Sequence, residues 1–153
     1  MRKLLFFLLS TFLLFSCKKE KFTSEPHITF LSLTPDSWSS NNPDPNAGPV
    51  LSMQLTDAEG DLGFQDTSLS FVYVKNITVP PFVTDSFAFP SLPLSDKKNL
   101  NVQLDVRITD CLAAFNLPRP HTDTLFFEVY VKDFANNKSN VITTPQPVYY
   151  TSP

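Results

Sequence analysis

The residues best suited to chemistry lie in Thr56-Asp57-Ala58-Glu59-Gly60-Asp61-Leu62-Gly63-Phe64-Gln65-Asp66. Carboxylates at alternate positions, with glycines between them, let a tight turn aim several oxygens at one point, as a hard cation such as calcium requires. Asp57, Glu59 and Asp61 are therefore candidate calcium ligands. The same residue types at strand ends also cap turns by accepting backbone N–H bonds, so the spacing supports either role.

Other chemistry finds less support. Counted as a twelve-residue calcium loop from Asp57, the segment has Leu62 where glycine is required and Ser68 where a bidentate Glu is required, so it is not an EF-hand. His27 and His121 have no Cys or carboxylate at zinc-ligand spacing, which leaves them as surface residues. No G-x-S-x-G, H-E-x-x-H or glycine-rich phosphate loop occurs, so an enzyme is not expected. Cys111, beside Leu112 and Ala113, reads as a small packing side chain.

The elements that must position the acids read as strands. All 14 prolines follow residue 25, and there are only 3 glycines. Leu100 to Thr109 is apolar at every even position and polar at every odd one, which turns one face to a core and the other to water. Val50–Thr56 repeats the period with Leu51, Met53 and Leu55 inward, and Leu125–Lys132 repeats it with Leu125, Phe127, Val129 and Val131 inward. Further strands are expected at Ile28–Leu33, Leu69–Lys75 and Asn140–Thr144, with a last one at Val148–Thr151. Leu112–Asn116 has the length of one helical turn. Six or seven strands joined by Pro- and Asn-rich turns predict an all-β fold, a single antiparallel β-sandwich.

In an immunoglobulin-like order the strands are A at Ile28, B at Val50, C at Leu69, D near Thr84–Phe89, E at Leu100, F at Leu125 and G at Val141. The cysteine pair and buried tryptophan of antibody domains are absent from that pattern, since Trp38 falls in the A–B connection. Asp57-Ala58-Glu59-Gly60-Asp61-Leu62-Gly63 resembles the "D-x-D-G-D-x-G" turn of immunoglobulin-like modules in exported bacterial lipoproteins, with Glu59 at the second acid. Asp133-Phe134-Ala135-Asn136-Asn137-Lys138-Ser139 is similar to the "D-x-A-G-N-x-S" turn that closes their last hairpin, with Asn136 at the glycine position. Asparagine tolerates the left-handed backbone this needs. The resemblance implies that strands B and F run the same way, and so that Asp57 and Asp133 share one pole, which adds Asp133 to Asp57, Glu59 and Asp61 as a fourth candidate calcium ligand.

The N-terminus supplies an address. Arg2 and Lys3 lead a twelve-residue apolar run, Leu4 to Phe15, that stops at Ser16-Cys17-Lys18-Lys19. It is shorter than the roughly 18–20 residues of a bilayer span and has the layout of a secretory signal. Ser10 and Thr11 interrupt it, which weakens the other reading, an uncleaved anchor helix. Leu14-Phe15-Ser16-Cys17 resembles the lipobox of bacterial lipoproteins, implying cleavage before Cys17 and acylation of its thiol. Residues 1–16 are then the signal peptide, 17–25 a lipidated tether and 26–153 the sandwich domain. Several acyl chains hold a protein stably at a membrane where one does not. Lys18 is unlike the Asp that resembles an inner-membrane retention signal, which favours the outer membrane, facing either the periplasm or the outside.

The chain after cleavage, about 137 residues, is the size of one domain. Loss of Arg2 and Lys3 moves its formal charge from −3 to −5, which argues against nucleic acid as a partner. With Cys17 acylated, Cys111 has no intrachain disulfide partner. In Val79 to Pro90 three phenylalanines stand among prolines, expected as an irregular edge strand or a contact patch. Asp123-Thr124-Leu125 is similar to a short glycosylation signal of exported bacterial proteins, with Thr124 as acceptor. The sequence thus predicts a non-catalytic, membrane-anchored lipoprotein of the bacterial cell envelope, acting as an interaction or accessory module beside an envelope protein or glycan. The alternative is a glycan-binding lipoprotein of a polysaccharide-uptake system.

Overall fold

A computed structural model describes residues 22–65, 68–78, 80, 82–89, 98–109 and 120–153. The signal peptide, Cys17, Asp66, Cys111 and the Leu112–Asn116 segment lie outside the described residues. Within them the chain forms β1 (His27–Thr34), β2 (Ser37–Ser39), β3 (Val50–Asp57), β4 (Phe64–Gln65), β5 (Ser68–Leu69), β6 (Phe71–Asn76), β7 (Thr84–Ala88), β8 (Leu100–Arg107), β9 (His121–Leu125), β10 (Phe127–Lys132), β11 (Ile142–Thr143) and β12 (Val148–Ser152).

One layer is the antiparallel sheet β1-β3-β8, which unites the strands expected as A, B and E. The opposing layer has the order β11-β10-β6-β7. It is prolonged by β2-β12-β9, because only Phe126 separates β9 from β10. The two layers make an all-β sandwich. Both contribute to one core: Leu51, Met53 and Leu55 of β3 meet Val72 and Val74 of β6 and Phe127, Val129 and Val131 of β10, all essentially solvent-free. The strict two-residue alternation places them there, since a one-residue slip would turn every one outward.

Strand β1 shows how parity is corrected when the alternation fails. Its register against β3 shifts between Phe30 and Ser32, so Leu31 is an extra, exposed residue. Ile28 and Phe30 share one parity and Leu33 has the other, and the bulge lets all three face the core.

Two segments sit differently from the sequence expectation. Thr84–Ala88, expected as strand D, pairs with β6 and forms the edge of the opposite sheet from β8. The reason is a short connection, Ile77 to Val83, that returns the chain antiparallel beside the strand it has just left. Trp38 does lie in the A–B connection, yet that connection forms β2, parallel to β12, and the Trp38 side chain enters the core at 9% exposure. Of the three phenylalanines after Val79, Phe89 is buried, Phe87 packs against the core and Phe82 alone is largely exposed, at 55%.

Candidate metal centre

Strands β3 and β10 belong to opposite layers and end at the same pole, so Asp57 and Asp133 meet across the sandwich. Carboxylate oxygens of Asp57, Asp61 and Asp133 all lie within 4.8 Å of one another. Two oxygens on opposite sides of a calcium ion are roughly 4.6–5.2 Å apart, given bonds of 2.3–2.6 Å, so one ion between the three carboxylates satisfies this spacing.

Local backbone geometry builds the turn. Gly60 has φ 66°, a left-handed conformation that favours glycine, and its N–H donates to Asp57 Oδ2 at 2.5 Å. Asp61 is thereby brought back over Asp57. Its carbonyl accepts from the Phe134 N–H at 3.0 Å, which ties this loop to the one after β10. There Asp133 accepts from both the backbone N–H and the side-chain amide of Asn137, each at 2.8 Å. Asn136, at φ 66°, closes that turn in the conformation the sequence assigned to it.

The electrostatics of the cluster are unfavourable as it stands. Asp57 is 0% exposed and Asp133 3%. Asp57 Oδ1 and Asp61 Oδ1 are buried and meet no hydrogen-bond donor. Burial pushes the Asp57 carboxyl from 3.8 up to about 6, with the charges of Asp61, Glu59 and Asp133 adding to the rise and the Gly60 N–H opposing it. Asp61 is also raised, first by burial and then by the Asp133 charge, against hydrogen bonds from its own backbone and the Asp57 carboxyl. An unpaired buried carboxylate is costly. A proton shared within the cluster would relieve it in acid, and a divalent cation bound there would relieve it at neutral pH.

Glu59 stands apart from the other three candidates. Its side chain is exposed and accepts from the Ser24 hydroxyl at 2.8 Å. Next to it, the Ala58 N–H donates to the Thr23 carbonyl at 3.0 Å and the Ala58 carbonyl accepts from Asn99 N–H at 2.8 Å. Glu59 thus fastens the chain arriving from residue 22 onto the acidic loop. No local signal marks Ser24 for this, because its partner lies 35 positions away. Asn140 is a second residue without a sequence signal: its amide bonds Ile28 on the other layer.

The remaining candidates are scattered. His27 is exposed near the start of β1. His121 pairs with Asp123 within β9, and Thr124 is exposed on the same strand. No helix among the described residues is long and apolar enough to cross a membrane. Comparison with family models, with curated proteins and with solved structures gives no match.

Proposed function

We propose that the protein is a non-catalytic accessory module of a bacterial cell envelope, held at the outer membrane by acyl chains on Cys17 and stiffened by a calcium ion bound at the pole nearest that anchor. The observation that carries the calcium reading is the fully buried Asp57 Oδ1, which has no donor and faces two further carboxylates. Asp57, Asp61 and Asp133 hold the ion in this reading. Glu59 acts beside them by docking the tether through Ser24.

Cys17 precedes Thr23 by six positions, a span of at most about 21 Å when extended. An acylated Cys17 therefore keeps the calcium pole close to the lipid surface and presents the far pole outward. Joining the loops after β3 and β10 through one ion would hold the two layers together at the end where the anchor pulls.

Palmitate labelling in bacteria tests the anchor. The wild type should carry label and Cys17→Ser should lose it and keep its signal peptide; processing of Cys17→Ser at the normal site would make this an ordinary secreted protein. Calorimetric titration of the full chain in detergent with calcium chloride tests the ion. One binding event is expected, abolished in Asp57→Asn, and titration without heat in the wild type would reject it.

A further inference from the structure

The outer face of the β6–β10 pair shares no residue with the carboxylate cluster, and its composition is unlike the rest of the chain. Tyr73 and Tyr130 are directly opposed in register, and their rings stack at 4.7 Å with 9° between planes. Lys138 Nζ lies 4.1 Å from the Tyr130 ring centre and Lys132 Nζ 5.7 Å from that of Tyr73. Lys75, two residues along β6 from Tyr73 on the same face, adds a third lysine, opposite Glu128 in the register. Glu128 is the one carboxylate on these two strand faces. Among the described residues none of the three lysines is in an ion pair.

This placement is asymmetric. Tyr130 covers one face of the Tyr73 ring. On the other side runs β7, whose residues on this face are Thr84, Ser86 and Ala88, all exposed. The Tyr73 ring therefore borders small side chains on its β7 flank, with Phe71 tilted against it at 6.3 Å between ring centres and the Lys132 ammonium over it. A ring bordered by small side chains suits the apolar face of a sugar. Three lysines against the single carboxylate of Glu128 on this face, in a chain with 15 acids against 12 bases, select an anionic ligand locally rather than by overall charge.

We infer that this face binds an acidic polysaccharide, with one sugar ring packed against the β7 flank of Tyr73 and its carboxylates paired with Lys75 and Lys132. Single-stranded nucleic acid is the competing polyanion. It carries a denser charge, which the acidic chain opposes, and it gains affinity by stacking successive bases on separate rings, whereas the two tyrosines here occupy each other.

Affinity electrophoresis of the full chain in detergent through gels containing hyaluronate, dextran or an oligothymidylate tests the inference. Retardation by hyaluronate that fades with added salt is expected, with little effect of dextran. Tyr73→Ala and the double variant Lys75→Gln/Lys132→Gln should each weaken retardation by at least about fivefold, the equivalent of roughly 1 kcal/mol. The tyrosine stack also braces β6 against β10, so melting temperature is measured alongside. The lysine variant, altered only at partly exposed side chains, keeps the test valid if Tyr73→Ala unfolds. Absence of retardation by hyaluronate, retardation unchanged in the lysine variant, or stronger retardation by oligothymidylate would each overturn it.

Discussion

Asn140 hydrogen-bonds both backbone groups of Ile28: the Ile28 N–H donates to its Oδ1 at 2.8 Å, and its Nδ2 donates to the Ile28 carbonyl at 2.9 Å. The side-chain amide stands in for a strand residue at the open edge of β1, and it links the segment after β10 to the opposite layer. Ser139 supports it from behind, its hydroxyl donating to the Asn140 carbonyl at 2.7 Å while accepting from the Val131 N–H at 2.9 Å.

Asn140→Ala leaves two partly buried backbone groups without their partner and should cost about 1–3 kcal/mol. Asn140→Asp keeps the acceptor but loses the donor, so it should not restore the wild-type value. Urea denaturation read at the midpoint checks both, and midpoints equal to wild type would show that water replaces the amide without loss.

Calcium should raise the melting temperature of the full chain. A ligand that binds only the folded state stabilises it by about 2.7 kcal/mol at a hundredfold excess over Kd, which corresponds to roughly 5–10 °C for a chain of this size. Asp61→Asn should shrink the difference between calcium and chelator. Equal melting temperatures in the two conditions, at fixed ionic strength, would mean that the carboxylates only cap turns.

Without calcium the pH dependence should run opposite to that of an ordinary salt-bridged carboxylate. The Asp57 carboxyl titrates near 6 in the folded chain against 3.8 ordinarily, so the folded state holds its proton more tightly than the unfolded state does. That contribution is fully present below pH 3.8 and is lost as pH rises through 6. In chelator, Asp57 alone should make the domain about 1.4 kcal/mol more stable at pH 5 than at pH 7.5. Asp57→Asn should flatten the difference. In calcium the trend should reverse, because protons and the ion compete for the same oxygens.

The sequence by itself determined the strands and their inward faces. Period-two alternation is a local property, and burial enforces it, so Leu51, Met53, Leu55, Phe127, Val129 and Val131 could be placed in the core from spacing alone. The convergence of Asp57 and Asp133 was expected from the resemblance to immunoglobulin-like modules, whose strand order sets the directions of the two strands, and not from alternation. The tertiary structure alone decided the rest, because those features depend on which distant backbone lies alongside. A short return loop carried Thr84–Ala88 to β6 instead of β8. The pairing of β2 with β12 turned Trp38 inward. The left-handed turn at Gly60 brought Asp61 over Asp57 and left Glu59 outside, where Ser24 of the arriving chain met it. The stacked tyrosines exist only because the register sets Tyr73 opposite Tyr130, 57 positions later, and a register is fixed by the packing of whole sheets.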